Sequence, residues 1–215
     1  MRGLLLTMTE PPLAMEEEFN AWYDTEHIPE RNGIKGFVSS RRWVFPDAKA
    51  GDGKYLATYE LESPDVLATP EYLAHVGDHF TPWSKRCLGK ALLFRRWALR
   101  ETGRAHDSLA APSDAAARAL FISLGDIATE HEAEFNRWYD EEHVPLISKV
   151  PGVLRARRFF DPAGKPRYVA LYDLAGPEVR THPDWQVAVT TPWTKRIREL
   201  QGAAPRLVRT YLPYD

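Results

Sequence analysis

Residues 18–29 read EFNAWYDTEHIP and residues 134–145 read EFNRWYDEEHVP, so the chain states nearly the same twelve-residue phrase twice. The second copy begins 116 positions after the first, and the same offset aligns Gly36 with Gly152 and Arg42 with Arg158. Further along, YLATYEL at residues 55–61 aligns with YVALYDL at 168–174, and TPWSKR at 81–86 aligns with TPWTKR at 191–196. Because only two copies occur, the chain is a tandem duplication, whereas a solenoid needs several stacked units.

Each copy contains the same succession of hydrophobic patterns. In the first copy a short apolar run near residues 4–8 predicts a buried strand, and residues 16–32 have the apolar spacing of a helix. Residues 37–45 and 55–61 predict a hairpin of two strands, residues 70–88 an interrupted helix, and residues 91–99 a fourth strand. This βαββαβ order is that of the ferredoxin-like unit.

A single ferredoxin-like unit leaves one face of its sheet uncovered, and a second copy supplies a cover. We therefore predict an α+β fold, with two ferredoxin-like βαββαβ repeats packed as an intramolecular dimeric α+β barrel. The first repeat is predicted at residues 1–101, a linker rich in Gly, Ser, Pro and Ala at 102–118, and the second repeat at 119–215. Since one chain imitates a dimer, the expected state is a monomer that is a pseudo-dimer, or a homodimer.

The composition favours a small-molecule partner. The 28 basic and 30 acidic side chains are dispersed, so no basic stripe predicts nucleic-acid binding. The apolar start of the chain is cut short by Glu10 and two prolines, which excludes a signal peptide or a membrane span there and predicts a cytoplasmic protein. Cys87 is the only cysteine, so disulfides within the chain and Cys-rich zinc sites are excluded.

The phrase places a carboxylate among aromatic side chains. On a helical wheel of about 100° per residue, Phe19, Trp22 and Tyr23 fall within one arc of about 100°. Glu26 falls within the same arc, so its carboxylate is predicted on the apolar side of the helix. An unpaired buried charge is costly, and the arginines at residues 41–42 on the neighbouring strand are its expected partners.

The histidine of the phrase has two readings. His27 directly follows Glu26, as His143 follows Glu142, and such a pair can perform acid–base chemistry with a histidine that titrates near neutral pH. A histidine in the last turn of a helix is also favourable to the helix dipole and can bond free carbonyls. Retention of the phrase in both copies favours the structural reading, unless the parent was a symmetric dimer with two equivalent sites.

The motifs resemble those of a known family. The FNxWYDxEHxP phrase, the GF or PGV that follows it, the Arg-Arg strand and the TPW(S/T)KR segment are similar to the EthD-like group of the dimeric α+β barrel superfamily. The resemblance covers nearly the whole chain apart from the linker. Relatives in that superfamily include cofactor-independent monooxygenases, polyketide cyclases, lactone isomerases and haem enzymes, so the resemblance implies the fold more sharply than the reaction.

The leading functional hypothesis is a cofactor-independent enzyme that acts on a hydrophobic or aromatic small molecule. It would be an isomerase, cyclase or lyase, or else a monooxygenase, and no nucleotide-binding glycine motif predicts a cofactor. His27 or His143 is predicted as the general acid or base, with Glu26 or Glu142 orienting it. The predicted substrate-binding residues are Trp22, Tyr23, Arg42, Trp83, Trp138, Tyr139, Arg158 and Trp193.

Two alternatives stay open. The first is a non-catalytic small-molecule-binding or structural barrel, in which the Glu–Arg pairs serve the fold alone. The second is a haem or metal protein that uses His75 and His79, which are four residues apart in a segment without a counterpart in the second copy. Gly77 lies between these two histidines, so a broken helix at this point would separate them.

Overall fold

The computed structural model describes residues 1–107, 117–204 and 206–214. The chain divides into two compact units, one comprising Met1–Arg100 with Tyr214 and the other Glu101–Pro213. Each unit contains one copy of the duplicated sequence, and we call them the first and the second repeat.

The first repeat is a four-stranded antiparallel sheet with helices. Its sheet has the order β4-β1-β3-β2. The strands are β1 (Gly3–Glu10), β2 (Phe37–Val44), β3 (Tyr55–Leu61) and β4 (Leu93–Asp107), of which β4 belongs to this repeat up to Arg100. The helices are α1 (Glu16–Trp22), α2 (Ile28–Gly33), α3 (Pro70–Leu73) and α4 (Pro82–Lys90). This is the βαββαβ order expected from the sequence.

The second repeat follows the same plan. Its antiparallel sheet has the order β8-β5-β7-β6. The strands are β5 (Ala119–Gly125), β6 (Val153–Phe160), β7 (Tyr168–Leu174) and β8 (Arg206–Pro213). The helices are α5 (Glu132–Trp138), α6 (Val144–Ile147), α7 (Pro183–Ala188) and α8 (Pro192–Gln201). The α+β class and the two ferredoxin-like repeats are therefore confirmed.

A glycine before the second strand of each repeat is required by its backbone and by its neighbours. Gly36 has φ +94° and Gly152 has φ +89°, a region that side chains with a Cβ rarely adopt. A Cβ at Gly36 would lie 2.5 Å from a methyl group of Val66, and one at Gly152 would lie 2.6 Å from Val179. Each glycine thus permits a tight turn that packs against the segment after the third strand of its repeat, which contains Val66 in the first repeat and Val179 in the second.

Part of the predicted linker is strand in the structure. Strand β4 continues to Asp107, so residues 102–107 are extended strand, and residues 108–116 of the predicted linker lie outside the described residues. Gly103, one of the residues that suggested a linker, has φ +72° and lies within that strand. At the other end of the chain, Tyr214 packs with the first repeat, 5.5 Å from the ring of Tyr55. Composition alone did not reveal either feature.

Helices in the described residues are short. None of them is long and apolar enough to cross a membrane.

Candidate functional site

The duplicated phrase forms a helix with a π-helical turn in its middle. In the first repeat α1 and α2 are joined by a π-turn at Tyr23–His27, and in the second repeat α5 and α6 are joined by one at Tyr139–His143. A π-turn accommodates one extra residue, and such turns are frequent at functional sites. It therefore changes which side chains share a face, and the wheel of about 100° per residue misplaces the residues that follow Tyr23.

His27 occupies the buried face that the wheel assigned to Glu26. Only 8% of His27 is exposed, and its ring centroid lies 4.5 Å from that of Trp22, five residues earlier. The ring also makes edge contacts with Tyr23 at 5.2 Å and Tyr59 at 6.2 Å. The prediction that His27 caps a helix end is wrong, because the π-turn carries the helix onward through α2 and turns the imidazole inward.

The Glu26 side chain bonds to the start of helix α4. Its Oε1 atom accepts hydrogen bonds from Thr81 Oγ1 at 2.5 Å, from Ser84 Oγ at 3.1 Å and from Trp22 Nε1 at 3.2 Å. Thr81 is the N-cap of α4 and accepts the backbone N–H of Ser84 at 3.0 Å. This contact links the two sequence motifs of the repeat, the EH of the phrase and the TPWS segment.

The second repeat makes the same link. Glu142 Oε1 accepts a hydrogen bond of 2.6 Å from Thr191, the N-cap of α8. In both repeats the glutamate joins two helices, and within the described residues no hydrogen bond connects it to the histidine beside it. The expected orienting contact from Glu26 to His27 is therefore not formed in this arrangement.

The strand arginines pair elsewhere than predicted. Arg42 donates to Asp24 Oδ1 at 2.7 Å and to Asn20 Oδ1 at 2.5 Å, and its Cζ lies 4.6 Å from the Tyr23 ring centroid. Its expected partner Glu26 is occupied at α4. Asp24 and Glu26 both lie in the π-turn, where Asp24 pairs with the strand arginine and Glu26 bonds to α4.

The second repeat repeats this cluster. Arg158 donates to Asn136 Oδ1 at 2.8 Å and to Asp140 Oδ1 at 3.3 Å, with its Cζ 3.9 Å from the Tyr139 ring centroid. Both strand arginines are buried. The Asn, Asp, Tyr and Arg positions of the motifs thus form one polar cluster in each repeat, in which Arg and Tyr are buried and Asp is partly exposed.

A cavity of about 460 Å³ lies within the first repeat, and His27 lines it. This volume is within the range of small-molecule sites. Most of the wall is apolar, supplied by Leu5, Leu67, Leu73, Val76, Phe80, Leu88 and Phe94. Polar groups come from Thr7, Tyr23, Arg31, Tyr59, Tyr72 and Arg96. An apolar cavity with few polar groups is the usual form of a binding site for an organic molecule.

Arg31 places a buried positive charge in this cavity wall. The residue is 2% exposed and lies one turn after His27 on α2. Its Nη2 donates to the carbonyl of His75 at 2.8 Å and lies 3.3 Å from Glu30 Oε2. Arg31 Nη1 and His27 Nδ1 are buried, and neither has a hydrogen-bond partner within the described residues. Buried polar atoms are nearly always paired, so these two atoms, with the equally unpartnered Tyr59 hydroxyl of the same wall, are available to a ligand.

The two histidines are neutral over the physiological pH range. Burial, followed by the positive charges of Arg31 and Arg42, lowers the pKa of His27 to about 3. Burial, followed by the charges of Arg198, Arg206 and Arg158, lowers the pKa of His143 to about 3. The expectation that these histidines titrate near neutral pH is wrong, because removal from water and nearby arginines both disfavour the imidazolium.

Acid should therefore destabilise the protein through these histidines. Their pKa is lower in the folded chain than the 6.5 of an unfolded histidine, so the unfolded state binds protons first as pH falls below 6.5. We expect each histidine to lower the free energy of unfolding by up to about 1.4 kcal/mol per pH unit between pH 6.5 and about 3. Urea unfolding at pH 7.5 and pH 5 measures the slope, and His27→Gln should make it shallower. Equal slopes for the variant and the wild type would contradict a buried neutral His27.

The equivalent cavity of the second repeat is much smaller. It has a volume of about 90 Å³ and is lined by His143, Trp138, Tyr139 and a set of arginines described below. Phe121 and Trp185 occupy the positions of Leu5 and Tyr72, and these larger side chains fill the space. The two copies of the phrase thus face cavities of different size and chemistry.

The structure brings some of the predicted site residues together and separates others. His27 and Tyr23 line the larger cavity, and His143, Trp138 and Tyr139 line the smaller one. The other predicted binding residues lie outside the two cavity walls: Trp22, Trp83, Trp193, Arg42 and Arg158.

The sequence interpretation missed several lining residues. Thr7, Tyr59 and Arg96 lie on β1, β3 and β4, and Arg31 lies on α2. The available signal was alternation along the strands, which places Leu5 and Thr7, or Phe94 and Arg96, on one face.

The residues of the metal alternative are not arranged on one helix. Helix α3 ends at Leu73, His75 Nδ1 contacts Glu30 Oε1 at 2.9 Å, and His79 lies in a separate 3₁₀ turn. Among the residues that the structure describes, no group of three or more His, Cys, Asp or Glu side chains could hold a metal ion. Cys87 is buried, and burial raises the pKa of its thiol to about 11, which is opposite to the activation of a nucleophile.

Comparison with known proteins relates this fold to a group of solved structures. No protein-family model and no curated protein sequence matches the chain. An anthrone oxidase-like protein matches with a TM-score of 0.70 and 11% identity, over 100% of this chain and 91% of that chain. A candidate monooxygenase from Lactobacillus acidophilus matches with a TM-score of 0.60 and 12% identity, over 98% and 93% of the two chains.

A chlorite dismutase variant from Candidatus Nitrospira defluvii matches with a TM-score of 0.60 and 7% identity, over 99% of this chain and 91% of that chain. At such identities the likeness shows the fold alone. The predicted α+β fold class agrees with this likeness.

Proposed function

We propose that the chain is an enzyme that binds an apolar, ring-containing small molecule in the cavity of the first repeat and transforms it by proton transfer. The observation that carries this proposal is that a neutral His27 and a buried Arg31 line the same mostly apolar cavity of about 460 Å³. The resemblance of the motifs to the EthD-like group, and the names of the structural neighbours as oxidase-like or monooxygenase proteins, support an enzyme without favouring a particular reaction.

The two side chains have complementary tasks in this proposal. A neutral imidazole has one nitrogen that accepts a proton and one that donates, whichever tautomer is present. A buried guanidinium favours negative charge on an oxygen nearby, and in a low dielectric this interaction is stronger than in water. The pair suits a substrate whose C–H bond lies next to a carbonyl group.

In the proposed step the C–H bond beside the carbonyl breaks, and the proton passes to His27. The electron pair moves into the carbonyl group to give an enolate, whose oxygen is stabilised by Arg31. The negative enolate also offsets the arginine charge that lowers the pKa of His27, so the imidazole becomes a stronger base as the reaction proceeds. Return of the proton to a different carbon gives an isomer. Attack of the enolate carbon on a second carbonyl carbon of the same molecule breaks that C=O π bond, and its oxygen takes the proton back from His27 to give a cyclised hydroxy product.

Glu26 and Arg42 act as structural residues in this account. Glu26 fixes α4, which carries Leu88 of the cavity wall, and Arg42 holds the sheet-facing side of the phrase. Their second-repeat equivalents, Glu142 and Arg158, make the same contacts beside a much smaller cavity. We therefore assign the glutamate and arginine contacts, which occur in both repeats, to the fold. We assign function to the first-repeat cavity, which alone of the two is large enough for an organic molecule.

A non-catalytic binding protein is the second candidate. The observation that favours it is the pKa of His27, which at about 3 makes a weak base in the empty cavity. The two candidates differ in one measurement, because a binding protein would take up the ligand and leave its α-protons in place.

Arg31→Ile tests the role of the buried charge. Isoleucine is the residue at the aligned position 147, so the substitution has a natural precedent in the second repeat. With 2-tetralone, an aromatic ketone, we expect binding by calorimetry to weaken by about tenfold, since one charge-assisted hydrogen bond is lost.

A matched control is Arg95→Ile, which removes an exposed arginine of β4 that does not line the cavity. The control should bind as the wild type does. Unchanged affinity in Arg31→Ile would remove Arg31 from the site.

A further inference from the structure

The small cavity of the second repeat contains three arginines where the first repeat has apolar side chains. The alignment of the crossover segments places Arg180 at the position of Leu67, and the alignment of the TPW segments places Arg198 at that of Leu88. Strand register supplies the third, because Phe94 pairs with Thr9 on β1 and Arg206 pairs with the equivalent Gly125 on β5. All three arginines line the cavity of about 90 Å³.

These arginines have no acidic neighbour in the cavity wall. The polar members of the wall are Ser123, Tyr139, His143, Tyr168, Tyr172, Thr194 and Gln201, and none is a carboxylate. Among the described residues, no ion pair involves Arg180, Arg198 or Arg206, whereas the strand arginines Arg42, Arg157 and Arg158 each have an Asp partner. Three like charges around one cavity repel one another unless an anion lies between them.

The Arg180 guanidinium is held in place by two aromatic rings. Its Cζ lies 3.9 Å from the Phe121 ring centroid and 5.2 Å from that of Trp185. Nη1 makes one long contact of 3.4 Å with Thr210 Oγ1, and Nε is buried without a hydrogen-bond partner among the described residues. A guanidinium fixed between two aromatic rings is pre-organised and loses little freedom when it binds.

Burial and the positive charges of the cluster lower the pKa of two of its members and of His143. Burial, followed by the charge of Arg206, lowers the pKa of both Arg180 and Arg198. The charges of Arg198, Arg206 and Arg158 contribute, after burial, to the low pKa of His143. Burial is the larger cause in each case, and the neighbouring positive charges act in the same direction.

We propose that the second repeat binds a small oxyanion between Arg180, Arg198 and Arg206. The ligand class is set by two facts. Guanidinium groups bind phosphate, sulfate and carboxylate oxygens in paired hydrogen bonds, and the cavity of about 90 Å³ admits a group of only a few atoms. The site is separate in the chain from the cavity that contains His27, and it requires no transformation of the anion.

Calorimetric titration with inorganic phosphate tests this site. Chloride at equal ionic strength controls for screening, and acetate separates a carboxylate source from a phosphate-like one. The wild type should bind one anion per chain and should melt at a higher temperature in its presence. Arg198→Leu and Arg206→Phe introduce the residues found in the first repeat, and each should weaken binding by about tenfold or more.

Lys195→Leu is the matched control, because Lys195 lies on the same helix α8 and outside the cavity wall. It should bind phosphate as the wild type does. Both arginines to be replaced are exposed, so folding should be retained, and without phosphate the variants should melt at or above the wild-type temperature since repulsion is relieved. Equal effects of phosphate, acetate and chloride on the wild type, or equal losses in Lys195→Leu and Arg198→Leu, would overturn the proposal.

Discussion

Replacing His27 by glutamine is expected to lower proton exchange at the α-carbon of 2-tetralone by about a hundredfold or more. Glutamine keeps much of the size of the side chain and its capacity for hydrogen bonds, but it cannot accept the proton. General acid–base catalysis contributes about 10²–10⁴ to a rate, which sets the expected loss. NMR in D₂O follows the exchange directly and needs no knowledge of the natural substrate.

The second repeat offers the control for this variant. His143→Gln makes the same chemical change next to the same tryptophan and tyrosine positions, but beside a cavity of about 90 Å³. We expect its exchange rate to stay within about twofold of the wild type. Equal losses in the two variants would indicate a structural effect, and an unchanged rate in His27→Gln would remove His27 from the reaction.

The pH dependence of the same exchange reaction gives an independent check. The active form of His27 is the neutral one, and with a pKa of about 3 it is fully populated above pH 5. The rate assigned to His27 should therefore be flat between pH 5 and pH 8. A rise centred near pH 6.5 would indicate a solvent-exposed histidine and contradict the buried position.

Replacing Trp22 by alanine is expected to lower the free energy of unfolding by about 3–5 kcal/mol. The indole is fully buried, and deletion of such a side chain removes its packing and leaves a cavity. Its Nε1 also donates to Ser84 Oγ at 3.0 Å and to Glu26 Oε1 at 3.2 Å, so the change leaves polar groups at α4 with one partner fewer. Urea unfolding of the purified variant measures the loss.

Trp83→Ala is the comparison for this change. Trp83 is only partly buried and donates one hydrogen bond of 3.1 Å to Glu18 Oε1. We expect its loss to be less than half that of Trp22→Ala. A Trp22→Ala variant within about 1 kcal/mol of the wild type would show that the phrase is not the anchor between the two helical segments.

Much of the fold was predictable because the duplication states it twice. The strands Tyr55–Leu61 and Tyr168–Leu174 have the predicted bounds, since apolar runs bounded by polar turns leave little choice of register. Gly36 and its copy Gly152 belong to the repeated motif and could be recognised in the sequence. Their close approach to Val66 and Val179 could not be predicted from it.

The candidate site was less predictable, because the helix that carries it contains a π-turn. A wheel with a constant angle per residue cannot anticipate the π-turn, which exchanges the expected positions of Glu26 and His27. The pairing of Arg42 with Asp24 follows from the same turn. Cavity size depends on which side chains face each other across helices and strands, and for Leu5 and Phe121 that relation appears only once strand register is known.

The most direct test of the central claim is a comparison of 2-tetralone binding by calorimetry between the wild type and the double variant Leu5→Phe, Tyr72→Trp. The variant introduces the residues of the second repeat and should fill the first-repeat cavity without adding charge. We expect one site per chain in the wild type and at least tenfold weaker binding in the variant, with circular dichroism unchanged. Equal affinity in the two proteins would place the ligand elsewhere and contradict a binding site at His27 and Arg31.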